Sequence, residues 1–138
     1  MSDQAHTLVR RLFEDINSRC SAAQSELIAS GHVYRAHVEK VRGVAGLDAL
    51  HMMYYRGFPD LELTIDDMFG SGGRVATAFS FTGTHLGEMM GVPATGRRVS
   101  VHGTIHSRVE HGRIVEEWEL LDLATMYQQL GETRGAGL

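Results

Sequence analysis

Several things are scarce in this sequence, and each scarcity excludes a class of protein. One cysteine, Cys20, stands in 138 residues, so no internal disulfide can form and disulfide-stapled secreted scaffolds fall away. No apolar run approaches the roughly 20 residues that cross a bilayer. Met1-Ser2-Asp3-Gln4 opens onto a polar, charged segment without an apolar leader core, so a cytoplasmic protein with no membrane partner is expected. Basic residues are outnumbered, 13 Lys+Arg against 17 Asp+Glu, for a formal net charge of -4. That balance supplies no field for a polyanion, so no nucleic-acid partner is expected. Gly-x-Gly-x-x-Gly, phosphate-loop and nucleophile-elbow patterns are missing too. Dinucleotide, nucleoside triphosphate and serine-hydrolase chemistry therefore lack support.

What is present suits one globular core: 43% hydrophobic residues in a chain too short for two domains. The expectation is a single domain over residues 1–138, with a tail from about 132 that has little to bury. Leu8, Val9, Leu12, Phe13 and Ile16 form the stripe of an amphipathic helix from Thr7 to Arg19. A second helix is predicted from Ser21 to Ser30, burying Ala23, Leu27 and Ile28 and stopping at Gly31. An extended stretch follows from His32 to His37. A third helix runs from about Gly46 to Arg56 with Leu47, Leu50, Met53 and Tyr54 on one side, and Pro59 lies just past its end.

Beyond Pro59 the period changes from 3.6 to 2. Leu61, Leu63 and Ile65, then Val75, Thr77, Phe79 and Phe81, alternate with polar or small residues around Ser71-Gly72-Gly73, which reads as an antiparallel hairpin. Gly87 to Gly96 is an excursion. A second hairpin, Val99–Arg108 with Arg113–Leu121, turns near His111-Gly112, and a last helix runs from Leu123 to Leu130. Helices first and a meandering sheet afterwards is an α+β arrangement: a strongly curved antiparallel sheet wrapped around the helices as a cone-shaped barrel. Such a cone encloses a pocket, and Met52, Met53, Met68, Met89 and Met90 are expected to line it as adaptable apolar side chains.

The segment from Gly83 through His85-Leu86-Gly87-Glu88-Met89-Met90-Gly91-Val92-Pro93 to Val99 resembles the most characteristic block of the SnoaL-like polyketide cyclase family. Phe58-Pro59-Asp60-Leu61, Gly112 to Trp118 with Asp122, and Gln128-Gln129-Leu130-Gly131 resemble three others, in order, over about residues 7 to 131. The resemblance implies an α+β barrel, a homodimer, one apolar cavity per chain and no metal or organic cofactor. It implies closure of an aromatic polyketide ring by intramolecular aldol condensation, in which a side-chain base removes a proton beside a carbonyl. The partner would be an apolar polycyclic small molecule. Two other activities fit the same family: a cofactor-free polyketide hydroxylase, and a non-catalytic module that binds an apolar ligand.

Glu117 and Glu119 lie two apart on a strand and point to one face, about 7 Å apart along it. The resemblance places the acid/base group at Glu119 and histidines at Glu117 and Ile105, so this chain keeps the acid and lacks both histidines. The bland alternative makes Glu116, Glu117 and Glu119 a solvated acidic run on an outer face. Register decides which residues share their face. A type I turn with a glycine bulge over Val109 to Gly112 sets Ile105 opposite Glu117 and Gly103 opposite Glu119, leaving His102, Thr104 and His106 with Trp118 and Asp122. A tight His111-Gly112 turn sets His106 opposite Glu117. The bulge matches the family's placement and is the reading adopted.

His85, at a strand end beside Glu88, is a candidate pocket-rim donor or a group that holds the excursion. His37, Tyr54, Ile105, Trp118, His106 and Asp122 are candidate substrate contacts, although the first explanation of Asp122 is a cap on the last helix and that of Trp118 a packing role. His102 and His106 lie about 13 Å apart if the segment is a strand, too far to share one metal ion. Dimerisation is expected through the sheet, because the second hairpin carries large residues on both faces and the core needs only one.

Overall fold

A computed structural model describes residues 2–20, 24–36 and 40–131. The elements in chain order are α1 (Ser2–Ser18), α2 (Gln24–Leu27), β1 (Ile28–Ala36), β2 (Lys40–Arg42), α3 (Gly43–Gly57), β3 (Glu62–Ser71), β4 (Arg74–Thr84), β5 (Arg98–Glu110), β6 (Arg113–Leu121) and α4 (Leu123–Gln129). The six strands form one sheet in the order β2-β1-β6-β5-β4-β3. It is an open, mixed sheet. β1 runs parallel to β6, and the other neighbours are antiparallel. The expected α+β architecture is present, with this one parallel pair as its departure from an all-antiparallel sheet.

α1 lays its apolar stripe against β3 and β4, burying Val9, Leu12, Phe13 and Ile16. α3 packs on β1 and β2 and buries Leu47. One side of the sheet therefore carries both long helices, and the core lies between. Phe13 meets Phe79 edge-on at 5.6 Å, and Phe58 meets Phe81 at 5.2 Å. This geometry favours the ring quadrupoles as well as burying area.

The predicted second helix is corrected. It ends at Leu27, and Gly31 lies inside β1 instead of stopping a helix. Pairing decides this: Ile28 sits beside Ile114 and residues 33–36 beside residues 116–119, so strand β6 supplies backbone partners that a short isolated helix cannot match. Ala23 and the tail from 132 onward lie outside the described residues.

The second hairpin corrects the expected register. His111 (φ 53°) and Gly112 (φ 74°) both take left-handed backbone, the requirement of a tight type I′ turn between paired Glu110 and Arg113. The bulge lies farther in, on β6, where Val109 pairs with Ile114 and Arg108 with Glu116. Ile105 consequently stands opposite Glu119, and Gly103 opposite Leu121. A tight turn plus one bulge preserves the expected sharing of faces but moves every pair by two residues. Ile105 still shares the carboxylate face, and His106 stands opposite Trp118 on the other.

Candidate active site

A cavity of about 60 Å³ lies between α1, α3 and the sheet, room for about two water molecules. Leu12, Phe13 and Ile16 line it from α1, Leu47, Leu50, His51 and Tyr54 from α3, and Phe79, Phe81, Ile105 and Leu121 from the strands. Three polar side chains enter from β1 and β6: Tyr34, Glu117 and Glu119. The acidic pair thus faces inward, against the solvated-run reading. Glu116 alone follows that reading, half-buried on the opposite side between Arg35 and Arg108.

The pleat explains the grouping. β1 and β6 run side by side with Tyr34 next to Glu117 and Ala36 next to Glu119, so alternate residues of both strands share the inner face. Tyr34 donates its hydroxyl to Glu119 Oε2 at 2.6 Å. His32 lies 2.7 Å from Glu117 Oε1 through Nε2. Its Nδ1 accepts the backbone N–H of Gly43 at 3.2 Å. Because Nδ1 accepts, the ring proton sits on Nε2 and is donated to Glu117. The side chains of His32 and Glu117 are 0% and 2% exposed.

Electrostatics separates the two carboxyls. Loss of water pushes Glu119 up to about 7, the Glu117 charge adds to the rise, and the Tyr34 hydrogen bond opposes it. Burial, reinforced by Glu119, drives the Tyr34 phenol far above its usual range, so it remains a donor. Burial lowers the pKa of His51, with Glu117 and Asp48 pulling the other way. The cavity therefore holds a carboxyl poised to exchange protons near neutrality, a permanent phenol donor, and an imidazole that favours its neutral form.

The remaining candidates separate clearly. Tyr54 and Ile105 line the cavity, Tyr54 edge-on to Phe81 at 5.8 Å. His85 is fully buried away from it, with Nδ1 accepting the Thr95 backbone N–H at 3.1 Å and its ring 5.4 Å from that of Phe58. It anchors the excursion that crosses residues 85–97, which is the structural option among the two expected of it. Asp122 caps α4, accepting from Thr125 N at 3.0 Å and Thr125 Oγ1 at 2.6 Å. Those bonds hold its carboxyl below the usual range.

Trp118 and His106 stack at 5.1 Å on the outer face, with the Arg35 guanidinium 5.5 Å from the indole centre. His37 lies outside the described residues. The methionine expectation is corrected: Met52 is exposed, Met89 packs under Gly57, and Met90 meets the Tyr127 hydroxyl. None lines the cavity, whose walls are branched aliphatics and aromatics.

Sequence reasoning missed His32, Tyr34 and His51. The signals were there: His32 and Tyr34 alternate on a strand that later pairs with Glu117 and Glu119, and Leu47, Leu50, His51 and Tyr54 follow helical spacing. What was absent was knowledge that β1 neighbours β6.

A family model described as SnoaL-like polyketide cyclase matches residues 7–130. The aklanonic acid methyl ester cyclase DnrD of Streptomyces peucetius is 29% identical over 129 residues, 91% of this chain and 89% of DnrD. Among solved structures, IdmH of Streptomyces antibioticus, a candidate polyketide cyclase, is 34% identical with a TM-score of 0.83, over 93% of this chain and 99% of IdmH. AclR of Streptomyces galilaeus, a candidate hydroxylase, is 27% identical with a TM-score of 0.85, over 95% and 98%.

Proposed function

Because the chain belongs to the SnoaL-like polyketide cyclase family, we propose that it closes a ring of an aromatic polyketide by intramolecular aldol condensation, with Glu119 carrying the proton. One observation carries the assignment: the Glu119 carboxyl faces an apolar cavity, is raised to about 7, and is held by Tyr34. A group near that value is ionised often enough to remove a C–H proton beside a ketone, and acidic enough afterwards to return it. The enolate carbon attacks a second carbonyl of the same molecule, one C–C bond forms, and the resulting alkoxide takes the proton back from Glu119. Nothing is oxidised or reduced, so the reaction needs no cofactor. His51 and Tyr54 on the α3 wall are the side chains we assign to the substrate's polar edge, and Ile105 to its apolar face.

A polycyclic ligand needs several hundred Å³, so binding it requires this cavity to be wider than it stands here. The substrate class we assign is a polycyclic polyketide, and the first compound to assay is aklanonic acid methyl ester, the substrate named for DnrD. Product of unchanged mass with one new ring, lost in Glu119→Gln, is expected. A product that gains an oxygen atom moves the assignment to the hydroxylase reading, which the similarity to AclR supports. Binding without turnover leaves a ligand-binding module.

No helix among the described residues is long and apolar enough to cross a membrane, and we place the protein in the cytoplasm. Two copies pair through the outer face of the sheet in this reading. Phe69 and Leu120, 67% and 63% exposed, support it, since large apolar groups on an open sheet face call for a cover.

A further inference from the structure

The two inner carboxylates come within one strand repeat of each other, and something must decide which keeps its charge. We propose that His32 makes that decision: as a positioning residue it holds Glu117 as the standing carboxylate and so leaves Glu119 as the proton carrier. This rests on the cyclase reading and extends it to a residue that touches no substrate.

The geometry carries the argument. His32 is fixed at both ring nitrogens, by Gly43 N–H on Nδ1 at 3.2 Å and by Glu117 Oε1 at Nε2 at 2.7 Å. The Gly43 N–H belongs to the first turn of α3, whose donors have no intrahelical acceptor. With Nδ1 occupied as an acceptor, the ring cannot turn over to accept from a protonated Glu117. It offers Glu117 an N–H and nothing else, a partner that only an accepting oxygen can use. Both side chains are sealed from water.

Other groups also face the pair, and the Glu117 charge acts on one of them, His51. Tyr34 from β1 donates to Glu119. β5 presents Ser107 opposite Glu117, an uncharged residue whose buried hydroxyl has no hydrogen-bond partner among the described residues. α3 contributes His51 and Tyr54, and α1 contributes Leu12, Phe13 and Ile16. A fixed charge on Glu117 then repels a second charge on Glu119, in keeping with the upward push on Glu119.

Two substitutions divide the imidazole. Gln places its amide nitrogen near the site of Nε2 and can still donate to Glu117. Asn places its oxygen near the site of Nδ1 and keeps only the Gly43 contact. With aklanonic acid methyl ester as the probe, His32→Gln should keep the midpoint of the kcat–pH profile within about 0.3 units of wild type. His32→Asn should move it acid by more than about 0.3 units, because Glu117 without its donor no longer holds the charge that repels Glu119. An unmoved midpoint in folded His32→Asn, or equal displacement in both variants, overturns the proposal.

Two measurements need neither a substrate nor a His32 variant. Imidazole ¹⁵N shifts of the wild-type protein should report the Nε2–H tautomer for His32 at pH 7, and an Nδ1–H ring overturns the proposal. In ¹³C-glutamate-labelled protein, the carboxyl titrating at about 7 should vanish in Glu119→Gln and persist, displaced to lower pH, in Glu117→Gln. The reverse assignment overturns it. A cyclase-inactive wild type with these spectra intact sinks the functional reading instead, so the two failures are distinguishable.

Discussion

Glu119→Gln should make the protein slower and, above neutrality, more stable. The carboxyl is raised from 4.5 to about 7 in the folded state, so the fold holds this proton more tightly than the unfolded chain does. Below pH 4.5 both states are protonated and the group contributes its full share of stability. That share is lost as pH rises through 4.5 to 7, because the unfolded chain ionises freely while the folded one must ionise in an apolar cavity. At 1.36 kcal/mol per unit the loss reaches about 3.4 kcal/mol, and partial contact of Glu119 with solvent reduces it to about 2 kcal/mol.

Glutamine never ionises and keeps an oxygen that accepts from Tyr34. The variant should therefore match wild type within about 0.5 kcal/mol at pH 4.5 and exceed it by about 2 kcal/mol at pH 8.5, roughly 7 °C in Tm for a chain of this size. Taking the difference between two proteins cancels the titrations of groups distant from Glu119, which both share. Urea unfolding at the two pH values measures it, and turnover of a cyclising substrate should fall about 10²-fold or more in parallel. Equal destabilisation at both pH values would refute the reasoning, because the carboxyl would then carry an ordinary pKa and Glu119 would lose its claim to the proton.

Tyr34→Phe removes the bond that stabilises ionised Glu119; the midpoint of the kcat–pH profile should move alkaline by about one unit, and an acid shift would contradict the assigned polarity. Asp122→Asn should keep activity near wild type and cost at most about 1 kcal/mol in urea unfolding, since asparagine also caps helices; a folded but dead variant would move the chemistry to the outer face of the sheet. Light scattering at micromolar concentration should give twice the 15.2 kDa chain mass, and Phe69→Lys with Leu120→Lys should return it to the monomer; a monomeric wild type rejects pairing through that face.

The chain's own periodicities determine the α+β class, the first helix stripe, both long hairpins, and the sharing of one face by Glu117 and Glu119. These are local or parity properties: alternation assigns a residue to a face whatever its neighbour turns out to be. The capping of α4 by Asp122 is legible for the same reason, because donor and acceptor are three residues apart. Local order could not supply the partner strand. Which pairs stand opposite depended on a bulge at Val115, invisible in a sequence that reads well with either turn. That His32 and Tyr34 would meet the two carboxylates depended on β1 lying parallel to β6 across about 85 residues of chain, and a non-local pairing is paid for by burial of the whole sheet, not by any preference within β1. That the two acids share a face was therefore decided by sequence, while the inward direction of that face, its donors and its neighbours came from tertiary packing.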